Sequence, residues 1–221
     1  MRKWVSDWEL SGSERDVAAF VLAGGLSSRM GADKALLVWD GAPLIEHALN
    51  KLRRLDAGAR IVGSRPDLER FGSVIEDGRP RCGPLGGIET ALAASGAELN
   101  VFVPVDLPLM PAVFLEWMVA RAAVTGAATT IPMLGGRAQP LCSMLRRSVL
   151  SDIGAALDEG NYKVMAALTR SGEADFFNVE TVSPAQREWP VDPPLHLWFQ
   201  NLNRPEDLYA LAAYQNVSQR A

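Results

Sequence analysis

The sequence predicts an α/β fold whose central sheet is parallel in its first half, mixed in its second, and covered by helices on both faces. Three observations carry this. Short apolar runs alternate with amphipathic segments over the first half of the 221 residues, and strand–helix alternation implies right-handed parallel crossovers. The apolar run Val17-Ala-Ala-Phe-Val-Leu22 leads straight into a glycine-rich stretch, as a buried strand entering a loop does. In the second half two apolar runs are separated only by Leu-Gly-Gly-Arg-Ala-Gln, which suits a hairpin or a wide loop and makes the sheet mixed.

Strands are expected at 17–22, 60–62, 73–75, 100–104, 129–133 and 140–145, with weaker candidates at 175–179 and 197–200. Between them, Leu44, Ile45, Ala48, Leu49, Leu52 and Leu55 share one helical stripe, and Leu85, Ile88 and Leu92 share another. Pro111 followed by Phe114, Trp117 and Met118 opens a third helix. Residues 180–194 are rich in Pro and charge and read as a surface excursion. The ending 204–214 reads as a short helix opened by Pro205. Residues 1–16 are expected to be an extension and 17–221 a single domain, with no internal repeat.

Bulk composition narrows the function classes. Hydrophobic residues make up 48% and charged residues 22%, ordinary values for a soluble globular chain. A net charge of −4 speaks against a nucleic-acid-binding surface, so a bound polyphosphate needs a local positive site. Two cysteines, Cys82 and Cys142, with no CxxC, speak against a disulfide framework or zinc site and make a cytoplasmic setting the simplest expectation. The first 16 residues lack the apolar core of a signal peptide. No apolar run approaches the roughly 18–20 residues that span a bilayer, so no membrane partner is expected.

The chemistry concentrates at strand ends. After residue 22 the chain supplies Gly24, Gly25 and Gly31, two hydroxyls, Arg29 and Lys34. Glycines let backbone N–H groups converge on an anion, and the two cations oppose its charge. The spacing is neither the G-x-G-x-x-G of dinucleotide folds nor the Gly-Lys-Ser/Thr of a P-loop. In Val101-Phe-Val-Pro-Val-Asp106-Leu-Pro, an apolar strand ends in one carboxylate. Such an edge suits Mg²⁺, which takes one or two carboxylates plus phosphate oxygens and water; capping the helix near Pro111 is the plainer alternative.

Four further stretches are candidates. In Glu76-Asp77-Gly-Arg-Pro-Arg-Cys-Gly83-Pro-Leu85-Gly86-Gly87, the glycines permit close approach to a flat ligand and Leu85 is available to pack on it. Asp77 there suits a base edge, a ribose or a metal; a tight turn with surface charges is the alternative. Gln139, after Gly135-Gly136-Arg137-Ala, suits an acceptor wall or merely a hairpin turn. Lys163, near a helix start, suits an acceptor phosphate or simply solvent. Asn201 and Asn203 alternate along the weak strand and so share a face, although Asn203 also suits a helix cap. His47 lies in an amphipathic helix and reads as structural.

Taken together, Leu22-Ala-Gly-Gly…Arg29-Met-Gly…Asp33-Lys34, Gly83-Pro-Leu-Gly-Gly87, Pro104-Val-Asp106-Leu-Pro108 and Asn201-Leu-Asn203-Arg-Pro-Glu-Asp-Leu208 resemble the molybdenum cofactor guanylyltransferase (MobA-like) family, over roughly residues 17–211. The resemblance implies a Rossmann-like three-layer sandwich with a mixed, mostly parallel sheet, as in nucleotide-diphospho-sugar transferases. It implies transfer of GMP from GTP to molybdopterin with release of diphosphate, aided by Mg²⁺, and transient contact with molybdopterin-delivering or molybdoenzyme partners. Leu22, Ala23, Gly24 and Gly25 would line the GTP site with Gly83, Leu85 and Gly87. Lys34 and Arg29 would meet the phosphates, Asp77 the nucleotide, and Asp106 both nucleotide and Mg²⁺. Gln139, Lys163, Asn201 and Asn203 would face molybdopterin. Relatives that transfer CMP tend to carry Leu-Ala-Ala-Gly in the first loop, so Gly24 favours guanine. The chain departs from the pattern at Gly63, where some members carry an Asn that contacts nucleotide, and at Arg204, which replaces a common Thr. A cytidylyltransferase of the same fold and a non-catalytic nucleotide-binding module are the competing readings.

Overall fold

β1 (Val17–Leu22) alternates its side chains between two cores. Ala19 and Val21 enter one and Ala18, Phe20 and Leu22 the other, so every position is apolar because both faces are covered. The computed structural model describes residues 16–24, 33–55, 57–170, 172–202 and 207. In it β1 pairs in parallel with β6 (Leu99–Pro104) on one side and with β4 (Arg60–Val62) on the other. β5 (Val74–Ile75) extends the sheet in parallel beyond β4. With β7 (Thr129–Leu134), β9 (Ser143–Arg146) and β10 (Ala174–Asn178), the strand order is β10-β7-β9-β6-β1-β4-β5. The chain therefore runs outward from β1 through β4 and β5, then returns to β6 on β1's opposite flank. The carboxyl ends of β1 and β6 lie at that reversal, the place where open α/β sheets gather ligands.

Helices α1 (Leu44–Arg53) and α3 (Ala112–Thr125) pack on one face, with Leu44, Ile45, Leu49, Phe114 and Met118 buried there. On the other face lie α2 (Gly83–Ala93), α4 (Leu150–Asp158) and α5 (Val164–Leu168), through Leu85, Ile88, Ile153 and Leu168. α4 is absent from the sequence-based expectation. Between β1 and α1, a 3-10 turn at Lys34–Leu36 leads into a hairpin of β2 (Val38–Trp39) and β3 (Ala42–Pro43), closed by Asp40 and Gly41 at positive φ.

The second half mixes the sheet, as expected. β9 (Ser143–Arg146) runs antiparallel to both β6 and β7 (Thr129–Leu134), and β10 (Ala174–Asn178) runs parallel to β7 at the edge. The glycine pair resolves as a hairpin: Gly135 and Gly136, φ 55° and 73°, join β7 to β8 (Arg137–Ala138).

Two expectations are corrected. The weak strand at 197–200 is a helical turn, α7 (Leu195–Trp198), because Pro194 starts it and its carbonyl accepts from the Leu197 N–H. Residues 180–194, which begin within α6 (Val179–Val182), are more than a surface excursion. Trp189 is 7% exposed and meets Phe114, Trp117 and Trp198 with ring centroids 5.2–5.4 Å apart. Residues 1–15, Asn203 and nearly all of the expected last helix lie outside the described residues. Among the described residues, no helix is long and apolar enough to cross a membrane.

Candidate active site

Past their last paired residues, the parallel strands stay zipped together. The Ala23 N–H donates to Val62 O (3.0 Å), the Gly63 N–H to Ile75 O (2.9 Å) and the Val105 N–H to Leu22 O (3.2 Å). This forces two backbones together. A Cβ on Gly63 would sit 2.8 Å from both Cα and N of Gly24, and Gly63 has φ 141°, so only glycine fits there. Asp77 closes the other side of this cradle. A Cβ on Gly24 would lie 3.5 Å from its Oδ2, and one on Gly87 would lie 3.1 Å from its Oδ1. Asp77 Oδ1 is buried and accepts no hydrogen bond among the described residues. Burial, with the nearby charge of Glu76, pushes the Asp77 carboxyl above the usual carboxylate range.

The second half of the site is an ion pair. Asp33 caps the 3-10 turn, its Oδ1 accepting from the Ala35 N–H at 3.0 Å, and so fixes the backbone that carries Lys34. Lys34 Nζ donates to Asp106 Oδ2 at 3.4 Å, the two side chains being 27% and 14% exposed. Burial raises the Asp106 carboxyl above its ordinary range; the opposing pull of Lys34 is the smaller effect. Asp106 does not cap α3, whose cap residue is Pro111 with no side-chain bond. Two contacts hold the turn after β6. The Leu202 N–H donates to Asp106 O at 3.1 Å, and the buried Lys51 amine of α1 donates to Leu107 O. Burial lowers the Lys51 amine to about 7.

A glycine-lined cradle and a lysine–carboxylate pair thus lie at one switch point, and sequence comparison gives the chain's family. The model of the "MobA-like NTP transferase domain" family matches residues 19–173. The chain belongs to that family. A protein named molybdenum cofactor guanylyltransferase from Xanthomonas euvesicatoria pv. vesicatoria is 37% identical over 182 residues, 76% of this chain and 92% of that one. A Shewanella halifaxensis protein of the same name is 33% identical over 153 residues, 67% of this chain and 76% of its own. Among solved structures, the molybdopterin-guanine dinucleotide biosynthesis protein A of Archaeoglobus fulgidus superposes with a TM-score of 0.70 at 23% identity, over 87% of this chain and 95% of that one. That likeness shows the shared fold.

In this MobA-like frame the expected residues are placed as follows. Gly24, Lys34, Asp77, Gly87 and Asp106 all sit at the carboxyl edge of the parallel strands. Leu22 and Ala23 are buried at the end of β1, with Leu22 O and Ala23 N–H committed to the sheet. Asn201 is exposed beside Leu202 and so adjoins the Asp106 turn. Leu85 is corrected: it is fully buried in the core under α2, so it packs the helix and offers no face to a base. Gly83 is exposed, with φ 63° at the start of α2. Gln139 follows the hairpin, its N–H donating to Pro132 O at 2.9 Å, and Lys163 is exposed at the start of α5. Gly25, Arg29 and Asn203 lie outside the described residues.

Sequence reasoning passed over Lys51, Leu202 and Arg65. Lys51 did leave a signal, because it lies on the same helical stripe as Leu44 and Ala48. His47 is structural as read, its Nε2–H donating to Trp39 O at 2.7 Å. Cys142 is buried, and its thiol is pushed up to about 12, which leaves it unreactive.

Proposed function

We propose that the protein transfers GMP from GTP to molybdopterin, releasing diphosphate and forming a guanine dinucleotide cofactor. The single observation that carries this is the Lys34–Asp106 pair, 3.4 Å apart at the reversal of strand order, in a chain 37% identical to a molybdenum cofactor guanylyltransferase. The glycine cradle beside Asp77 supports the nucleotide half of the reading. Its buried carboxylate oxygen, without a hydrogen-bond partner among the described residues, is chemically suited to the N–H edge of a guanine or to a ribose hydroxyl.

The donor set at Asp106 fits Mg²⁺. A carboxylate 14% exposed, with burial outweighing its lysine partner, gains from a hard cation that takes one carboxylate plus phosphate oxygens. When bound there, Mg²⁺ would neutralise charge on the phosphates. The chain's own residues do the remaining work. Lys34 opposes the charge that develops on the leaving diphosphate, and Arg29 is assigned beside it. The Gly24–Gly63 approach brings backbone, with no side chain between, against the ligand. Asn201, with Asn203, Lys163 and Gln139, is assigned to the acceptor. The attacking group is the terminal phosphate of molybdopterin, ionised near neutral pH, so no general base is required. Two anions must be brought in line, and positioning with charge neutralisation supplies most of the rate.

The test is diphosphate release by purified protein with Mg²⁺ and molybdopterin, comparing GTP with CTP, ATP and UTP. GTP is expected to be preferred. A clear preference for CTP would sink the guanylyl assignment. Unchanged turnover in Asp106→Ala and Lys34→Ala would sink the assignment of the site.

A further inference from the structure

Resting on the nucleotidyl-transfer reading, we propose that Arg65 is a positioning residue: it holds Asp33 so that Lys34 faces the triphosphate, and it does not bind the anion itself. A guanidinium has five N–H donors, and here each has an acceptor. Nε donates to Asp67 Oδ1 at 2.9 Å, and Nη2 to Asp67 Oδ2 at 2.7 Å and to Asp33 Oδ2. Nη1 donates to Asp33 Oδ1 at 3.1 Å and reaches the Ala23 carbonyl at 3.5 Å. The side chain is 17% exposed. One guanidinium between two carboxylates leaves the cluster net negative, which repels a phosphate.

The positions of the acceptors say what is being held. Ala23 leaves β1 and Asp33 enters the 3-10 turn, so the guanidinium meets the chain on both sides of the glycine-rich stretch. Asp33 accepts from Arg65 and from the Ala35 N–H together, which links the arginine to the turn that presents Lys34. Arg65 is itself anchored beside the cradle, its N–H donating to Gly63 O at 2.8 Å. Two carboxylates gripped in parallel need the planar fork of arginine; a lysine has the charge without that geometry.

The experiment compares Arg65→Ala and Arg65→Lys in the full chain, each with Lys34 intact and with Lys34→Ala. Equilibrium binding of Mg²⁺-GTP and thermal melts are read for all. Arg65→Ala is expected to weaken GTP binding at least about fivefold with Lys34 intact, and less than about twofold in Lys34→Ala, because its effect runs through that lysine. Arg65→Lys is expected to be as impaired as Arg65→Ala. Equal losses in both backgrounds, or recovery by lysine, would overturn the proposal and make Arg65 a phosphate ligand. Should Arg65→Ala not fold, Arg65→Lys and Asp33→Asn complete the same comparison. Wild-type turnover separates the two readings. Its absence with GTP defeats the functional assignment, whereas the positioning role of Arg65 stands or falls on whether its effect on Mg²⁺-GTP binding depends on Lys34.

Discussion

Gly24 and Gly63 touch in space yet differ in what they tolerate. A methyl group on Gly63 would lie 2.8 Å from the backbone of Gly24, at a φ of 141° that side chains avoid. On Gly24 it would meet, among the described residues, nothing nearer than Asp77 Oδ2 at 3.5 Å, an ordinary contact. Gly63→Ala should therefore force β1 and β4 apart at their ends, lowering the melting midpoint and GTP affinity together. Gly24→Ala should melt like the wild type but fill the space beside Asp77, eroding the preference for GTP over CTP in diphosphate release. A wild-type GTP/CTP ratio in Gly24→Ala would remove Gly24 as a determinant of base choice. The same pair shows what the sequence reveals at this scale. Lys34 and Asp77 are legible because charge close to glycine at a strand end has few structural uses, and Asp106 because it is the one carboxylate at the end of an apolar strand. Arg65 is not, since its partner Asp33 is 32 positions away and no periodicity links them. The departure at Gly63 likewise acquires its reason only from the approach of Gly24.

Elements were legible where one period dominated. β1, α1 and α3 follow from apolar runs and helical stripes, and β4 lies within the expected bounds. The segment from α6 to α7 was not legible, because its proline and charge content masks three buried aromatics. Trp189, Trp198 and Phe199 all pack on Phe114 of α3, with centroids 5.3–5.7 Å away, and Trp198 Nε1–H donates to Pro193 O at 2.7 Å. The segment thereby roofs α3 and β10 and brings Leu202 back to Asp106. Trp189→Ala should cost about 3–5 kcal/mol, the usual range for emptying a buried aromatic site. Urea denaturation measures it. A loss under about 1 kcal/mol would mean that the aromatic roof contributes little to the fold. GTP affinity is expected to hold in the folded variant, since the ring partners of Trp189 are Phe114, Trp117 and Trp198, away from the Gly24–Asp77 cradle's own residues.

On the scale of the whole molecule, the sheet order was legible only as a class. Alternating strands and helices imply parallel crossovers, but the return from β5 to β6 across β1 is a long-range event that no local pattern encodes. That return places the Asp106 turn over α1, and α1 supplies a lysine where its stripe otherwise buries apolar groups. Lys51 donates to Leu107 O from the interior, and its amine titrates near 7 instead of 10.5. The consequence for stability has a definite sign. Below pH 7 the amine is charged in both folded and unfolded chains, and the full penalty of burying it weighs on the fold. Between about 7 and 10.5 the unfolded chain keeps the proton that the folded chain has released. The unfolded state then binds more protons, so this residue makes stability rise with pH, by at most about 1.4 kcal/mol per unit. Lys51→Met removes the ionisation while filling much the same volume. Its stability relative to wild type should be greatest near pH 6 and fall steadily toward pH 10, as the wild type sheds the penalty that the variant never carried. Denaturation curves of the two proteins across that range test this. Parallel stability profiles would show that Lys51 does not titrate in this window and that its burial is compensated by other groups. A converging pair would tie the turn bearing Asp106 to a buried amine whose burial costs stability at neutral pH.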